Sequence, residues 1–226
     1  MKRSEINLHL KESVDFFRAM KFSLPKFAYW SPAEWSGKGS ALTDIVECGL
    51  GWDITDFGSG DFSKIGLINF NLRNGRVHEA RKSYCEKIII VKEDQVTPLH
   101  THRSKIEDII NRGGGELVIQ LFQAGPDTKP TDALVTVKID AVPMTVDPGD
   151  NVHLTPGESI CLEPGVLHKF YGKPGAGPVL VGEVSTVNDD QTDNVFVDRN
   201  PRFPSIDEDV EPLYLLVNDY LGRIHS

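Results

Sequence analysis

The sequence predicts a mainly β protein, an antiparallel sandwich or barrel with a helix at either end. Three observations carry this expectation. Between residues 49 and 186, short β-branched runs are separated by Gly, Pro, Asn and Asp. These runs alternate with turns and not with long helical stretches, which disfavours a parallel α/β sheet. Residues 4–20 and 213–221 instead carry apolar side chains at helical spacing. A chain of 226 residues buries a sizeable core, and one domain is expected. Its parts are a helical and irregular extension over 1–44, a β unit over 45–205 and a helical tail over 206–226.

Each element follows from its pattern. In SEINLHLKESVDFFRAM, Ile6, Leu10, Val14, Phe17 and Met20 share one face, an amphipathic helix that packs on something larger. FSLPKFAYWSPAEW carries two prolines among aromatics, a packed connection in which Ser31 caps a short helix opened by Pro32. The strand candidates are GWDITDFGSG, FSKIGLINFNLRNG, KIIIVKEDQ, EDIINRGGG, ELVIQLF, ALVTVKID, NVHLTPGES, ICLEPGVLHKFYG and GPVLVGEVSTV. The glycine run at 113–115 reads as a tight reversal that returns ELVIQLF as the partner strand of the run before it. In the tail, Leu213, Leu216, Val217, Tyr220 and Leu221 predict a closing helix.

Composition excludes several function classes. Acidic residues outnumber basic ones 33 to 24, a formal charge of −9, and no Lys/Arg cluster is present, so a nucleic-acid partner is not expected. Met-Lys-Arg is followed by SEINLHLKES and not by an apolar stretch, and no run of about 18 apolar residues exists. Neither a signal peptide nor a membrane span is supported, and a cytoplasmic protein is expected. Cys48, Cys85 and Cys161 are odd in number and widely spaced, which fits reduced thiols used in packing.

The chemistry concentrates in TPLHTHRSKIEDIINRGGGELVIQLF, residues 97–122. Residues two apart on an extended segment point to one face, so His100 and His102 look the same way. Glu107 beside them completes three ligands, and the turn Pro164-Gly165 delivers His168 from another strand as the fourth. Three imidazoles and one carboxylate suit Mn, Co, Fe, Ni or Zn and not Ca. Glu116, placed after the glycine turn, is set aside as a rival carboxylate. His9, His78, His153 and His225 lack a partner pattern and are expected at the surface or satisfied in the core.

H-T-H, the following glutamate, a glycine turn and G-x6-P-G-x2-H (Gly157 to His168) resemble the two signature motifs of the cupin superfamily. THRSKIEDIINRGGGELVIQL, GWDITDFGSGDF and GEVSTVNDDQTDN are similar to the cupin-type D-lyxose isomerases, over roughly residues 45 to 215. That resemblance implies a cupin double-sheet β-barrel (jelly roll). It also implies one divalent transition metal per subunit, with manganese first, and an aldose–ketose isomerase converting D-lyxose to D-xylulose and D-mannose to D-fructose. A homodimer would follow the family habit, and the aromatics of the N-terminal segment could cover either the barrel or another subunit.

Around the ligands stand further candidates. Lys105 shares the metal-facing side if the chain is still extended there, and is otherwise a solvated hairpin lysine. Glu183 alternates with Val179 and Val181, lining the barrel or facing solvent. Lys87 lines the interior or sits exposed at a strand end. Asp189, Asp190 and Asp193 belong to a polar loop that is near the mouth or merely solvated. For an isomerase, Lys105 and Glu183 are the expected acid/base pair, with Lys87 and Asp193 on sugar hydroxyls. A sugar phosphate finds no glycine-rich cradle, although Arg199 and Arg202 leave it open. The same ligand set would also serve a cupin metal dioxygenase or a non-catalytic sugar-binding cupin.

Overall fold

The computed structural model describes residues 1–77, 79, 81–198 and 201–223. His78, Arg199 and His225, named above, lie outside the described residues. Helix α1 (Arg3–Ala19) opens the chain, followed by the short helices α2 (Pro32–Ser36) and α3 (Thr43–Glu47). At α2 the expected cap is present. The Ser31 N–H donates to Glu34 Oε2 at 2.8 Å, and the Glu34 N–H returns to Ser31 Oγ at 3.4 Å.

The strands run in order as β1 (Gly51–Thr55), β2 (Leu67–Arg73), β3 (Tyr84–Val91), β4 (Thr97–His102), β5 (Glu107–Gly114), β6 (Leu117–Gln123) and β7 (Val135–Ile139). They continue as β8 (Val142–Val146), β9 (Asn151–Leu154), β10 (Ser159–Leu162), β11 (Val166–Gly172), β12 (Val179–Thr186) and β13 (Asn194–Phe196). Antiparallel ladders join them into two sheets. The larger has the order β1-β2-β3-β12-β5-β10-β7-β8, and the smaller β13-β4-β11-β6-β9. Mainly β architecture with helices at both ends agrees with the sequence expectation.

Between the sheets lies an apolar core that includes Ile89, Val91, Ile109, Leu117, Ile119, Leu121, Val179 and Val181. A second core lies on the outer face of the larger sheet. There Ile6, Leu10 and Phe17 of α1 meet Trp52, Ile54, Ile68, Phe70, Ile88 and Ile90. Strand β3 is therefore buried on both faces, which explains the unbroken IIIV run: Ile88 and Ile90 face α1, while Lys87, Ile89 and Val91 face inward.

Two expectations need revision. β5 and β6 are not a hairpin, because β5 pairs with β12 and β10 in the larger sheet, whereas β6 pairs with β11 and β9 in the smaller. The glycine run carries the chain from one sheet to the other. Gly114 has φ +89°, and a Cβ there would meet the Pro178 carbonyl oxygen at 2.3 Å, so neither the bend nor the close approach admits a side chain. The closing helix is also shorter than its apolar spacing suggests, limited to a 3₁₀ turn at Val217–Asp219 and α4 (Tyr220–Arg223). Before it the tail is extended, with Leu216 bridged to Trp52 and buried in the outer core.

Arg3 ties the two ends of the chain. Its side chain is fully buried and makes paired hydrogen bonds to Glu208 (2.9 and 2.6 Å) and to Asp219 (3.0 and 2.8 Å). Among the described residues no helix is long and apolar enough to cross a membrane. The three cysteines are unpaired.

Candidate metal centre and its surroundings

Strand parity builds this site. His100 and His102 point inward from β4, and His168 on β11 is the ladder partner of His100. Glu107 opens β5 on the facing sheet, pointing in with Ile109. One ligand atom from each of these four buried residues lies within 4.8 Å of the others. Glu107 Oε1 is 3.2 Å from His102 Nε2 and 3.1 Å from His168 Nε2.

The opposite ring nitrogens are held from behind. His100 Nδ1 lies 2.7 Å from the Pro98 carbonyl and His168 Nδ1 3.2 Å from the Val166 carbonyl. Both contacts suit an Nδ1–H donor, which leaves Nε2 with its lone pair turned inward. His102 Nδ1 stands 3.2 Å from Asp193 Oδ2, at an angle too bent for a linear hydrogen bond. Asp193 Oδ1 accepts from the Ser104 N–H at 2.9 Å and its hydroxyl at 2.7 Å.

These residues fit a divalent cation. His168 Nε2 is buried without a hydrogen-bond partner, an expensive state for an atom facing only protein. Burial, then the neighbouring His168 and His102, push His100 well below its ordinary pKa and keep it in the neutral form a metal requires. Burial alone would raise Glu107, but the Lys105 ammonium and then His102 hold it well below the usual carboxylate range. Glu107, Glu183, Asp190 and Asp53 lie against Lys105, Lys87 and Arg202, while Asp193 stands beside His102.

Beside the ligands runs a chain of alternating charges. Lys105 Nζ bridges Glu107 Oε2 at 2.7 Å and Glu183 Oε1 at 2.9 Å. Lys87, the ladder partner of Glu183, approaches the same Oε1 to 3.2 Å and donates to Asn188 Oδ1 at 2.9 Å. Asp190 lies 4.0 Å from Lys87 and 3.4 Å from Arg202, which also pairs with Asp53. Against the cost of burial, Glu107 and then Glu183 raise the Lys105 ammonium, while the Lys105 and Lys87 ammoniums lower Glu183. Lys105 is thus held as a cation and Glu183 as an anion. Glu183 Oε2 takes no hydrogen bond among the described residues.

The residues singled out from sequence therefore converge: His100, His102, Glu107, Lys105, Glu183 and Lys87 line one cavity, and His168 joins the first three in the ligand cluster. Asp193 lies behind His102, with Oδ1 taken by Ser104 and Oδ2 3.2 Å from His102 Nδ1. Phe57, Phe170 and Phe196 give the cavity an apolar wall, and Asp190 and Arg202 a polar far end. Arg202 was visible only as one of several scattered arginines. It comes from an irregular segment with no period to betray it.

The model of the D-lyxose isomerase family matches residues 1–220. The chain belongs to that family. Within the family it is 45% identical to a D-lyxose/D-mannose isomerase from Serratia proteamaculans, over 99% of this chain and 100% of that one. It is likewise 45% identical to a D-lyxose/D-mannose isomerase from Escherichia coli O157:H7, over 97% of this chain and 98% of the relative. Among solved structures, Cellulomonas parahominis L-ribose isomerase superposes with a TM-score of 0.61 at 16% identity, over 92% of this chain and 98% of that one, a likeness of fold.

Proposed function

We propose that this chain is an aldose–ketose isomerase interconverting D-lyxose with D-xylulose and D-mannose with D-fructose. The observation that carries the reading is the Glu183 carboxylate. It is held ionised by two ammonium groups on one oxygen and left open on the other, in the cavity lined by His100, His102 and Glu107 of the ligand cluster. The activity named for the relatives at 45% identity supports the choice of sugars.

A divalent ion held by His100, His102, Glu107 and His168 would act as a Lewis acid on the sugar's carbonyl and adjacent hydroxyl, contributing several kcal/mol. Manganese is our first choice, with cobalt, iron, nickel and zinc suited to the same donors. Glu183 Oε2 removes the proton from C2 of the aldose and returns it to C1, while the proton of the C2 hydroxyl passes to the C1 oxygen, giving the ketose. Such a positioned base contributes a factor of about 10² to 10⁴. Lys105, fixed as an ammonium between two carboxylates, cannot be the base. It donates to the oxygen on which negative charge develops.

Lys87 and Asp190 meet the sugar's other hydroxyls. Arg202 adds a donor, because its Nη1 is buried without a partner beside the cavity. Asp193, expected on a hydroxyl, is read here as the residue that orients His102.

Two further parts belong to the same reading. The unpaired cysteines support a cytoplasmic location. Exposed Leu134, Val142 and Met144 on the β7–β8 hairpin at the sheet edge support a homodimer. Unchanged mass by light scattering in Met144→Asp would argue against that face.

The deciding assay follows ketose formation by metal-stripped protein given Mn²⁺, Co²⁺, Fe²⁺, Ni²⁺ or Zn²⁺ singly, beside His100→Ala. Turnover that requires metal and vanishes in the variant is expected. Oxygen uptake in place of ketose would favour a dioxygenase. In D₂O, deuterium should enter the product at C1, and its complete absence would replace proton transfer by a hydride shift.

A further inference from the structure

We infer that Asn74 is a positioning residue for the Glu183 carboxylate, acting through Asn188 and Lys87. The inference rests on the roles given above to Lys87 and Glu183. Asn74 directly follows β2, Asn188 lies just beyond β12, and both are buried. The Asn74 side-chain amide pairs with the backbone of residue 188 in both directions. Nδ2 donates to the Asn188 carbonyl at 2.9 Å, and Oδ1 accepts the Asn188 N–H at 3.0 Å. A side chain here takes the place of a ladder strand.

The pairing is anchored further. Nδ2 also donates to the Cys48 carbonyl at 3.2 Å. At the next position, Gly75, a Cβ would meet the Lys82 carbonyl oxygen at 1.9 Å and Val187 Cγ2 at 2.8 Å. The loop after β2 therefore presses on the 187–188 corner more closely than any side chain allows.

Fixing the backbone of residue 188 fixes where its side chain points. Asn188 Oδ1 accepts from Lys87 Nζ at 2.9 Å, and the same ammonium faces Glu183 Oε1 at 3.2 Å and Asp190 Oδ1 at 4.0 Å. The hydrogen bond to Asn188 sets the direction of the ammonium, and the two carboxylates stand beside it as ion-pair partners. With Asn188 displaced, Lys87 is free to lean toward either carboxylate. The terminal torsion of Glu183, intrinsically broad, then loses the Lys87 ion pair and is left with the Lys105 and Ser185 donors on Oε1. Oε2 moves with it. Neither Asn74 nor Asn188 lines the cavity, so the effect runs through Lys87.

The test is a double-mutant cycle on ketose formation by the metal-loaded enzyme. Asn74→Ala should lower kcat about tenfold or more, with KM and metal content little changed, as expected when a reacting group shifts by about 1 Å. In a Lys87→Gln background the same change should cost less than about twofold, because the route it acts through is already cut. Losses that multiply across the pair overturn the proposal, as does wild-type kcat in Asn74→Ala. A second comparison leaves the amide pairing in place, in case Asn74→Ala fails to fold. Asn188→Asp keeps an oxygen on Lys87 and should stay within about threefold of wild type, whereas Asn188→Ala should lose about tenfold. Equal losses in these two also overturn it. Wild-type turnover in Lys87→Gln alone is a separate outcome, which removes the role given to Lys87 and this inference with it.

Discussion

Replacing Glu183 by Gln tests the central claim, because it changes charge without changing shape. If Oε2 is the base, its proton-transfer contribution of about 10² to 10⁴ is lost from kcat. At about 1.36 kcal/mol per factor of ten, that is about 2.7 to 5.4 kcal/mol of barrier. The structural cost is smaller. A Gln oxygen can still accept from Lys105, Lys105 keeps Glu107 at 2.7 Å, and Lys87 keeps Asn188 at 2.9 Å. Weakening the contacts to two buried cations is worth about 1–3 kcal/mol. At about 2–4 °C per kcal/mol for a chain of this size, the melting midpoint should fall by about 2–12 °C. The assay is ketose formation under saturating sugar, with bound metal measured on the same sample. The reasoning fails if Glu183→Gln turns over within tenfold of wild type. It fails equally if the loss is explained by metal that no longer binds.

Other changes separate the remaining roles. Asp193→Ala frees His102 Nδ1 and should weaken metal affinity about 10- to 100-fold, with activity restored by excess metal; loss that excess metal does not restore would give Asp193 a different part. Arg202→Lys keeps the charge but removes the forked donor, and should raise KM about tenfold with kcat within about threefold; an unchanged KM would remove Arg202 from the sugar. Asp190 is held well below its ordinary pKa, where burial acts upward but Arg202 and then Lys87 prevail. A depressed folded value stabilises the protein above the unfolded value of about 3.9 and loses that contribution as pH falls toward the folded one. Asp190→Asn should therefore flatten the acid side of the stability curve, and an identical curve would show that the pair contributes nothing.

The ligands were legible because their geometry is local. A histidine pair two apart on a strand must face one way, whatever sheet that strand joins. Which sheet it joins is not local. The glycine run after Asn111 reads as a hairpin by turn chemistry alone, and only the close approach of Pro178 shows the chain passing to the opposite sheet. Lys87 looked like a strand end because the apolar run begins beside it. β3 in fact starts at Tyr84, three residues earlier, and carries Lys87 inside opposite Glu183. Asn74, Asn188 and Arg202 lie in irregular segments, where side-chain direction depends on partners more than a hundred residues away or on the far side of the cavity.

The Arg3 clamp bears on anyone who trims or extends this chain. The tail from 206 onward looks dispensable, being remote from the ligands and largely irregular. Cutting it would strip Arg3 of Glu208 and Asp219 and take Leu216 out of the outer core. A truncated protein that lost activity would thus report collapse of the helical layer behind the larger sheet, and would say nothing about the tail's part in turnover. Met1 lies in the same knot, its ammonium donating to the Ser205 carbonyl at 2.9 Å, so an affinity tag fused there would pull on the segment that delivers Arg202.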